Sequence, residues 1–217
     1  MKVASAFCEE ANMTRIKICG LRRKEDALLA ASLGADFIGF IFVAESPRYL
    51  EPISAAEIVE KVRARQNAPK IVGVFRNEKP ETVRAIAEGV GLDLVQLQGT
   101  ESEADILRIG IPAIKAVHVG RWAPKVDAHP SAAWLLFDTY DEKRSGGTGR
   151  RFDWTLLAGA ERKKPFMLAG GINPENAAAA ISAVRPDAID LASGVESSPG
   201  IKDLKKLETL FERVRRA

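Results

Sequence analysis

Residues 165–200 read PFMLAGGINPENAAAAISAVRPDAIDLASGVESSPG, and they contain two consecutive units in which an apolar strand ends at a small, glycine-rich turn. The first turn contains Gly170 and Gly171, and the second contains Ser193 and Gly194. Turns of this kind leave backbone N–H groups that can bind an anion. Each turn alone is equally consistent with an ordinary connection between a strand and a helix. Side by side, the two turns indicate a phosphate-binding site.

The rest of the chain is consistent with an α/β fold of one kind. In a (β/α)8 TIM barrel the loops after strands 7 and 8 often bind phosphate, so the two units above predict six more upstream. Short apolar runs do alternate there with longer amphipathic ones, which is typical of parallel strands joined by helices. The first six predicted strands are 16–19, 36–42, 70–75, 93–97, 112–119 and 134–138. Eight strands in about 200 residues favour a closed, single-domain barrel over an open doubly wound sheet.

Three segments depart from this alternation. Residues 1–12 have no clear period, so we expect a disordered N-terminal extension, a barrel domain over 13–217 and a possible natural start at Met13. Residues 122–131 contain two prolines and no sustained helical period, which predicts a short or missing fifth helix. Residues 139–151 form a long polar loop containing Gly147 and Gly149, and a loop of that length is usually a lid or a binding segment.

Several helices have local signals. Ser54 and Glu57 predict a capping box at the start of the second helix. Asn173 before Pro174 predicts the start of the helix after strand 7. The last helix, 204–214, is predicted to contribute core residues at helical spacing, namely Leu204, Leu207, Leu210, Phe211 and Val214.

The composition excludes several classes of protein. Charged residues make up 28% and hydrophobic residues 46%, an ordinary globular balance. The net charge is +3 and no Lys/Arg block occurs, so no nucleic-acid partner is expected. No apolar run approaches the roughly 20 residues that span a bilayer, so we expect no membrane partner and a cytoplasmic protein. The two cysteines, Cys8 and Cys19, are too few for a disulfide framework and have no metal-ligand spacing.

In a barrel, reactive side chains stand at the C-terminal ends of the strands. Those positions hold Cys19 after strand 1, Arg48 after strand 2, Gln98 after strand 4 and Asp138 after strand 6. A thiolate base and a carboxylic acid would form an acid–base pair, provided that the thiol pKa falls and the carboxyl pKa rises towards neutrality. Ordinary alternatives remain: a buried small residue for Cys19, a local cap for Asp138 and a surface position for Arg48. His118 could face the same site, although a structural role is the simpler interpretation.

Together these residues resemble the phosphoribosylanthranilate isomerase family, the (β/α)8 enzymes of tryptophan biosynthesis. The similar segments occur in order from residue 15 to the C-terminus, and their combination is specific although each alone is weak. They are Lys17-Ile18-Cys19-Gly20-Leu21, Gly39-Phe40-Ile41-Phe42, Ser46-Pro47-Arg48-Tyr49, Val72-Gly73-Val74-Phe75, Val95-Gln96-Leu97, Leu136-Phe137-Asp138-Thr139, Gly146-Gly147-Thr148-Gly149, Phe152-Asp153-Trp154, Leu168-Ala169-Gly170-Gly171, Ser193-Gly194-Val195-Glu196 and Pro199-Gly200-Ile201-Lys202-Asp203.

The resemblance implies an Amadori rearrangement of N-(5-phosphoribosyl)anthranilate to 1-(2-carboxyphenylamino)-1-deoxyribulose 5-phosphate, without metal or cofactor. It implies that Asp138 is the general acid, that Cys19 is the general base and that Arg48 pairs with the anthranilate carboxylate. The other implied site residues are the phosphate-binding Gly170, Gly171, Ser193 and Gly194 and the substrate-binding Gln98, Gly147 and Gly149.

One position departs from the family pattern. The family usually has His after strand 4, where this chain has Gln98, a neutral amide that can still donate and accept hydrogen bonds. A related phosphosugar isomerase is the nearest alternative, but that family has Asp where this chain has Cys19. A non-catalytic sensor of a phosphorylated ligand is the alternative of a different class. We expect a small phosphorylated partner and a monomer, with a homodimer as the other possibility.

Overall fold

A computed structural model of the chain describes residues 13–119, 129–139, 154–157 and 163–216. Eight parallel strands follow one another in chain order around a closed barrel, and β8 pairs with β1 to complete it. The strands are β1 (Arg15–Ile18), β2 (Phe37–Ile41), β3 (Lys70–Phe75), β4 (Leu94–Leu97), β5 (Ala113–Val119), β6 (Trp134–Thr139), β7 (Phe166–Leu168) and β8 (Ala188–Leu191). The predicted barrel is confirmed, and the first six strands lie within one residue of their predicted ends.

Among the described residues, five helices lie between barrel strands in the sequence and a sixth follows the last strand. They are α1 (Lys24–Ser32), α2 (Pro52–Arg63), α3 (Pro80–Val90), α4 (Glu103–Ile109), α5 (Ala177–Val184) and α6 (Leu204–Arg215), with 3-10 turns at Trp154–Leu157 and Ser193–Val195. A short antiparallel hairpin, β9 (Glu196–Ser198) and β10 (Ile201–Lys202), follows β8. No helix in the described ranges is long and apolar enough to cross a membrane.

Two helix starts and one core residue differ from the predictions. α2 begins at Pro52 without a side-chain cap, because a proline at the first helical position already has the helical φ, so the Ser54 box is wrong. α5 begins at Ala177 rather than at Pro174; Asn173 instead accepts hydrogen bonds from the next turn. In α6, Leu204 is 51% exposed because it lies in the first turn, whereas the other four predicted core residues are buried.

Two layers of apolar side chains form the core. The larger layer lies between the strands and the helices, and the smaller one fills the inside of the barrel with alternate residues of β2 to β8, such as Val72, Ile114 and Leu136. β1 contributes a lysine there, since Lys17 is fully buried and is in register with Phe37 of β2. The barrel interior is therefore apolar except for a polar group that begins at β1.

Several predictions concern parts of the chain outside the described residues. They are the N-terminal extension 1–12, most of the segment predicted to lack a fifth helix, and the loop positions Gly147 and Gly149.

Candidate active site

The four side chains predicted at the strand ends are all buried at the C-terminal end of the barrel. Cys19 directly follows β1, Gln98 directly follows β4, Asp138 lies near the end of β6 and Arg48 lies between β2 and α2. Gln98 and Asp138 are in direct contact, because the amide Nε2 of Gln98 donates to Asp138 Oδ2 at 3.1 Å. Cys19 is joined to that pair through other residues, described below.

The Cys19 thiol is free and occupies space created by a glycine. A Cβ on Gly39 of β2 would lie 2.8 Å from Cys19 Sγ, so only glycine leaves room for the sulfur there. Burial raises the pKa of the Cys19 thiol, and the charge of Lys17 opposes that rise. Lys17, with a smaller contribution from Lys202, therefore favours the thiolate form of Cys19.

Asp138 has both oxygens in hydrogen bonds. Oδ1 accepts from the backbone N–H of Thr139 at 2.8 Å, and Oδ2 accepts from Gln98. Burial raises the pKa of the Asp138 carboxyl, and these hydrogen bonds oppose the rise. The carboxyl is thus held in place and shifted in the direction that a general acid requires.

A chain of hydrogen bonds crosses the barrel interior from β1 to β6. Lys17 Nζ donates to Gln96 Oε1 at 2.8 Å and to Asp190 Oδ1 of β8 at 2.9 Å. Gln96 Nε2 donates to Gln98 Oε1 at 2.9 Å, and Gln98 donates onward to Asp138. The chain links the residue that influences the thiol to the predicted acid.

A second buried cluster lies beside Cys19. Glu196 accepts from Arg48 Nε at 2.9 Å and from Arg48 Nη2 at 2.7 Å, and also from Lys202 Nζ at 2.9 Å. Lys202 Nζ donates in turn to the carbonyl of Cys19 at 2.6 Å and to the carbonyl of Ala192 at 3.1 Å. The β9–β10 hairpin thus joins the end of β1, the turn after β8 and Arg48.

The two predicted phosphate turns lie next to each other and next to Asp138. Gly170 and Gly171 have φ values of +83° and +67°, and their N–H groups donate to no described residue. A Cβ on Gly170 would lie 3.2 Å from Asp138 Oδ1. A Cβ on Gly194 would lie 1.9 Å from the carbonyl oxygen of Ile172, so the two turns approach as closely as backbones can.

His118 lies beside the acid without bonding to it. It is in register with Asp138, and its Nε2 lies 3.2 Å from the backbone carbonyl of Gln98. A carbonyl can only accept, so the ring donates from Nε2. This contact with the backbone of Gln98 is consistent with a structural role for His118.

Sequence reasoning missed five polar residues of these clusters. They are Lys17, Gln96, Asp190, Glu196 and Lys202. For three of them the available signal was a polar residue inside a barrel strand: Lys17 in β1, Gln96 in β4 and Asp190 in β8. Within the described ranges, no group of three or more His, Cys, Asp or Glu side chains is arranged to hold a metal ion.

Comparison with known proteins connects this geometry to a family. The family model for N-(5'-phosphoribosyl)anthranilate isomerase matches residues 16–213. The N-(5'-phosphoribosyl)anthranilate isomerase of Pseudomonas fluorescens (strain Pf0-1) is 44% identical over 204 residues, which cover 93% of this chain and 98% of that protein.

Two solved structures are similar along nearly the whole chain. A structure of monomers generated from the dimeric isomerase of Thermotoga maritima has a TM-score of 0.80 at 35% identity, covering 94% of this chain and 100% of that chain. A phosphoribosylanthranilate isomerase in complex with reduced 1-(o-carboxyphenylamino)-1-deoxyribulose 5-phosphate also has a TM-score of 0.80, at 36% identity and with the same coverage. The chain therefore belongs to the N-(5'-phosphoribosyl)anthranilate isomerase family, a family of enzymes.

Proposed function

We propose that this protein catalyses the Amadori rearrangement of N-(5-phosphoribosyl)anthranilate, with Asp138 as general acid and Cys19 as general base. One observation carries the assignment: the buried Asp138 carboxyl lies against the Gly170 turn, whose N–H groups are available for a phosphate. An acid next to an anion site, at the barrel end that also holds a free thiol, matches what a phosphosugar isomerisation requires.

The two groups act in sequence. Asp138 gives its proton to the ribose ring oxygen as the bond from that oxygen to C1 breaks, which opens the ring to a Schiff base. The Cys19 thiolate then takes the proton from C2, and the resulting enolamine tautomerises to the ketone. Asp138 is left ionised and Cys19 protonated, so exchange with solvent restores both groups. The atoms of substrate and product balance without a metal or cofactor.

Arg48 is proposed to bind the anthranilate carboxylate on the edge that Glu196 leaves open. A guanidinium has five N–H donors, and Glu196 uses the Nε–H and one N–H of Nη2. The Nη1 group donates to no described residue, so the Nη1–Nη2 edge can donate two hydrogen bonds to a second carboxylate. Glu196 would therefore hold Arg48 in place rather than compete for it.

The phosphate is proposed to rest on backbone N–H groups of Gly170, Gly171, Ser193 and Gly194. The close approach of the two turns concentrates these donors in one place, which favours a dianion. The substrate-binding roles of Gln98, Gly147 and Gly149, a cytoplasmic location and a monomeric state remain predictions. A dimeric relative makes a homodimer the alternative state.

The test is the decay of anthranilate fluorescence when freshly generated phosphoribosylanthranilate meets the purified protein. General acid–base groups contribute about 10²–10⁴-fold, so Cys19→Ser and Asp138→Asn should each lower kcat by that order with KM near normal. Cys8→Ser, a change of the second cysteine within residues 1–12, is the control and should keep full turnover.

Comparable turnover in either site variant would remove that residue from the mechanism. No turnover by folded wild type would reject the proposed substrate and direct the assay to related phosphosugar amines. Binding of a phosphosugar without turnover would favour the sensor.

A further inference from the structure

The polar chain inside the barrel has a direction that its two ends determine. Lys17 Nζ carries only donors, so the oxygen of Gln96 must face it, and the NH₂ of Gln96 must then face Gln98. This places the Gln98 oxygen towards Gln96 and the Gln98 NH₂ towards Asp138. The amide orientations therefore follow from the chemistry of the chain ends, and no exchange of N and O within one amide would satisfy all the bonds.

The orientation of the Gln98 amide determines whether a proton on Asp138 has a hydrogen-bond acceptor. If the Gln98 amide turned over, it could accept a proton from the acid, and the acid would be stabilised in its protonated form. Turning it over would place the Gln98 NH₂ against the Gln96 NH₂, two donors face to face. The Thr139 N–H, which donates to the other carboxyl oxygen, cannot accept the acidic proton either, so neither group that is hydrogen-bonded to Asp138 takes that proton.

We propose that Lys17 and Gln96 are positioning residues that hold the Gln98 amide in one orientation, so that the Asp138 proton is presented to the substrate. The inference rests on the proposed function. Their effect on Asp138 passes through Gln98, and Lys17 also interacts directly with the Cys19 thiol. Burial supports it, because Lys17 and Gln96 are 0% and 4% exposed and water cannot readily replace their bonds.

Burying the Lys17 ammonium inside the barrel costs free energy. A buried ammonium loses its hydration, and the carboxylate of Asp190 at 2.9 Å compensates for its charge. An apolar side chain would fill the same place in the barrel, as Val72 and Leu136 do on other strands. Because Lys17 can only donate, it fixes the donor and acceptor of each hydrogen bond from Gln96 to Asp138.

Two variants of Gln96 test the direction. Gln96→Leu removes the constraint and lets the Gln98 amide turn over, so kcat should fall roughly tenfold with KM nearly unchanged. Gln96→Glu replaces the donor by an acceptor of the same shape and should lower kcat further. Ile114→Val, a smaller apolar residue in register with Gln96, is the control for a general loosening of the interior.

The second readout does not depend on activity. In full-length protein labelled with ¹³C at aspartate carboxyls, the Asp138 resonance is identified by its loss in Asp138→Asn. Its pKa should rise in both Gln96 variants and stay unchanged in Ile114→Val, because a turned amide stabilises the protonated acid. Failure of wild type to turn over substrate would reject the proposed function alone, while this titration would still decide the amide orientation.

A third measurement uses wild type only, in case the variants do not fold. The Gln98 side-chain NH₂ should keep its hydrogen bond to Asp138 throughout the titration of that carboxyl, observed as a coupling across the bond between the Gln98 side-chain ¹⁵N and the Asp138 carboxyl ¹³C. An amide that turns over when Asp138 is protonated would overturn the inference. So would Gln96→Leu with the kcat and the Asp138 titration of the control.

Discussion

Glu196 holds two buried cations at the rim of the site, and Glu196→Gln removes its charge while keeping its shape. The side chains of Glu196, Arg48 and Lys202 are 4%, 10% and 0% exposed. Breaking a buried ion pair by neutralising one partner costs about 3–5 kcal/mol. For a chain of this size that corresponds to a fall in Tm of roughly 6–20 °C.

Glu196→Gln should also weaken substrate binding, though by less than the loss of Arg48 itself. A charge-assisted hydrogen bond contributes about 1.5–3 kcal/mol, so Arg48→Met should raise KM about 10- to 100-fold. Glu196→Gln keeps the guanidinium but releases its Nε edge, and KM should rise by a smaller factor. Glu101→Gln is a matched control, since Glu101 and Lys115 form an equally buried pair, 4% and 3% exposed, away from Arg48. It should lose comparable stability with little change in KM.

The contribution of ionised Glu196 to the free energy of unfolding also depends on pH. Burial opposes ionisation of Glu196, but Arg48 and Lys202 outweigh it and hold the pKa of Glu196 below its ordinary 4.5. A carboxyl with a lowered folded pKa contributes stability above the unfolded value, and loses it as the pH falls through the folded value. The difference in unfolding free energy between wild type and Glu196→Gln, measured by urea titration, should be constant above pH 4.5 and narrow below it.

Two results would refute this reasoning. A wild-type KM in Glu196→Gln would show that Glu196 does not position Arg48. An unfolding free energy equal to wild type at pH 7 would show that the pair adds nothing to stability.

Two further substitutions test the turns and the amide. Gly194→Ala would force apart the turns after β7 and β8 and should weaken inhibition by inorganic phosphate, whereas Gly89→Ala in α3, where a Cβ meets nothing within 4 Å, should leave it unchanged; equal inhibition constants would place the phosphate elsewhere. Gln98→His should preserve or raise kcat, because a neutral imidazole can accept from Gln96 and donate to Asp138 as the amide does; a folded but inactive variant would show that the site requires the amide.

Most strands were predictable because they are short, largely apolar runs between turn residues. β3, for example, is Lys70–Phe75 as predicted, since a strand covered on both faces must be apolar almost throughout. Helix starts were less predictable. The Ser54 capping box predicted a later start for α2, but the helix begins at Pro52, whose φ is already helical.

The positions of the proposed site residues at the strand ends were also predictable, because parallel strands bring those ends to one edge of the barrel. What Arg48 touches was not, since Glu196 is 148 positions away and is delivered by a hairpin after β8. The same holds for Lys17, which meets Gln96 across the barrel only after β1 and β4 have closed into one sheet.

The sequence by itself thus determined the barrel, the strand ends that hold Cys19 and Asp138, and the glycine turns, because local periodicity and turn chemistry specify them; the proposed acid and base roles came from the resemblance to a family. Only the tertiary structure decided how those groups are held. The polar side chains inside the barrel meet across strands far apart in the chain, and burial then requires each of them to find a hydrogen-bond partner. That requirement fixes which group donates in each hydrogen bond from Lys17 to Asp138.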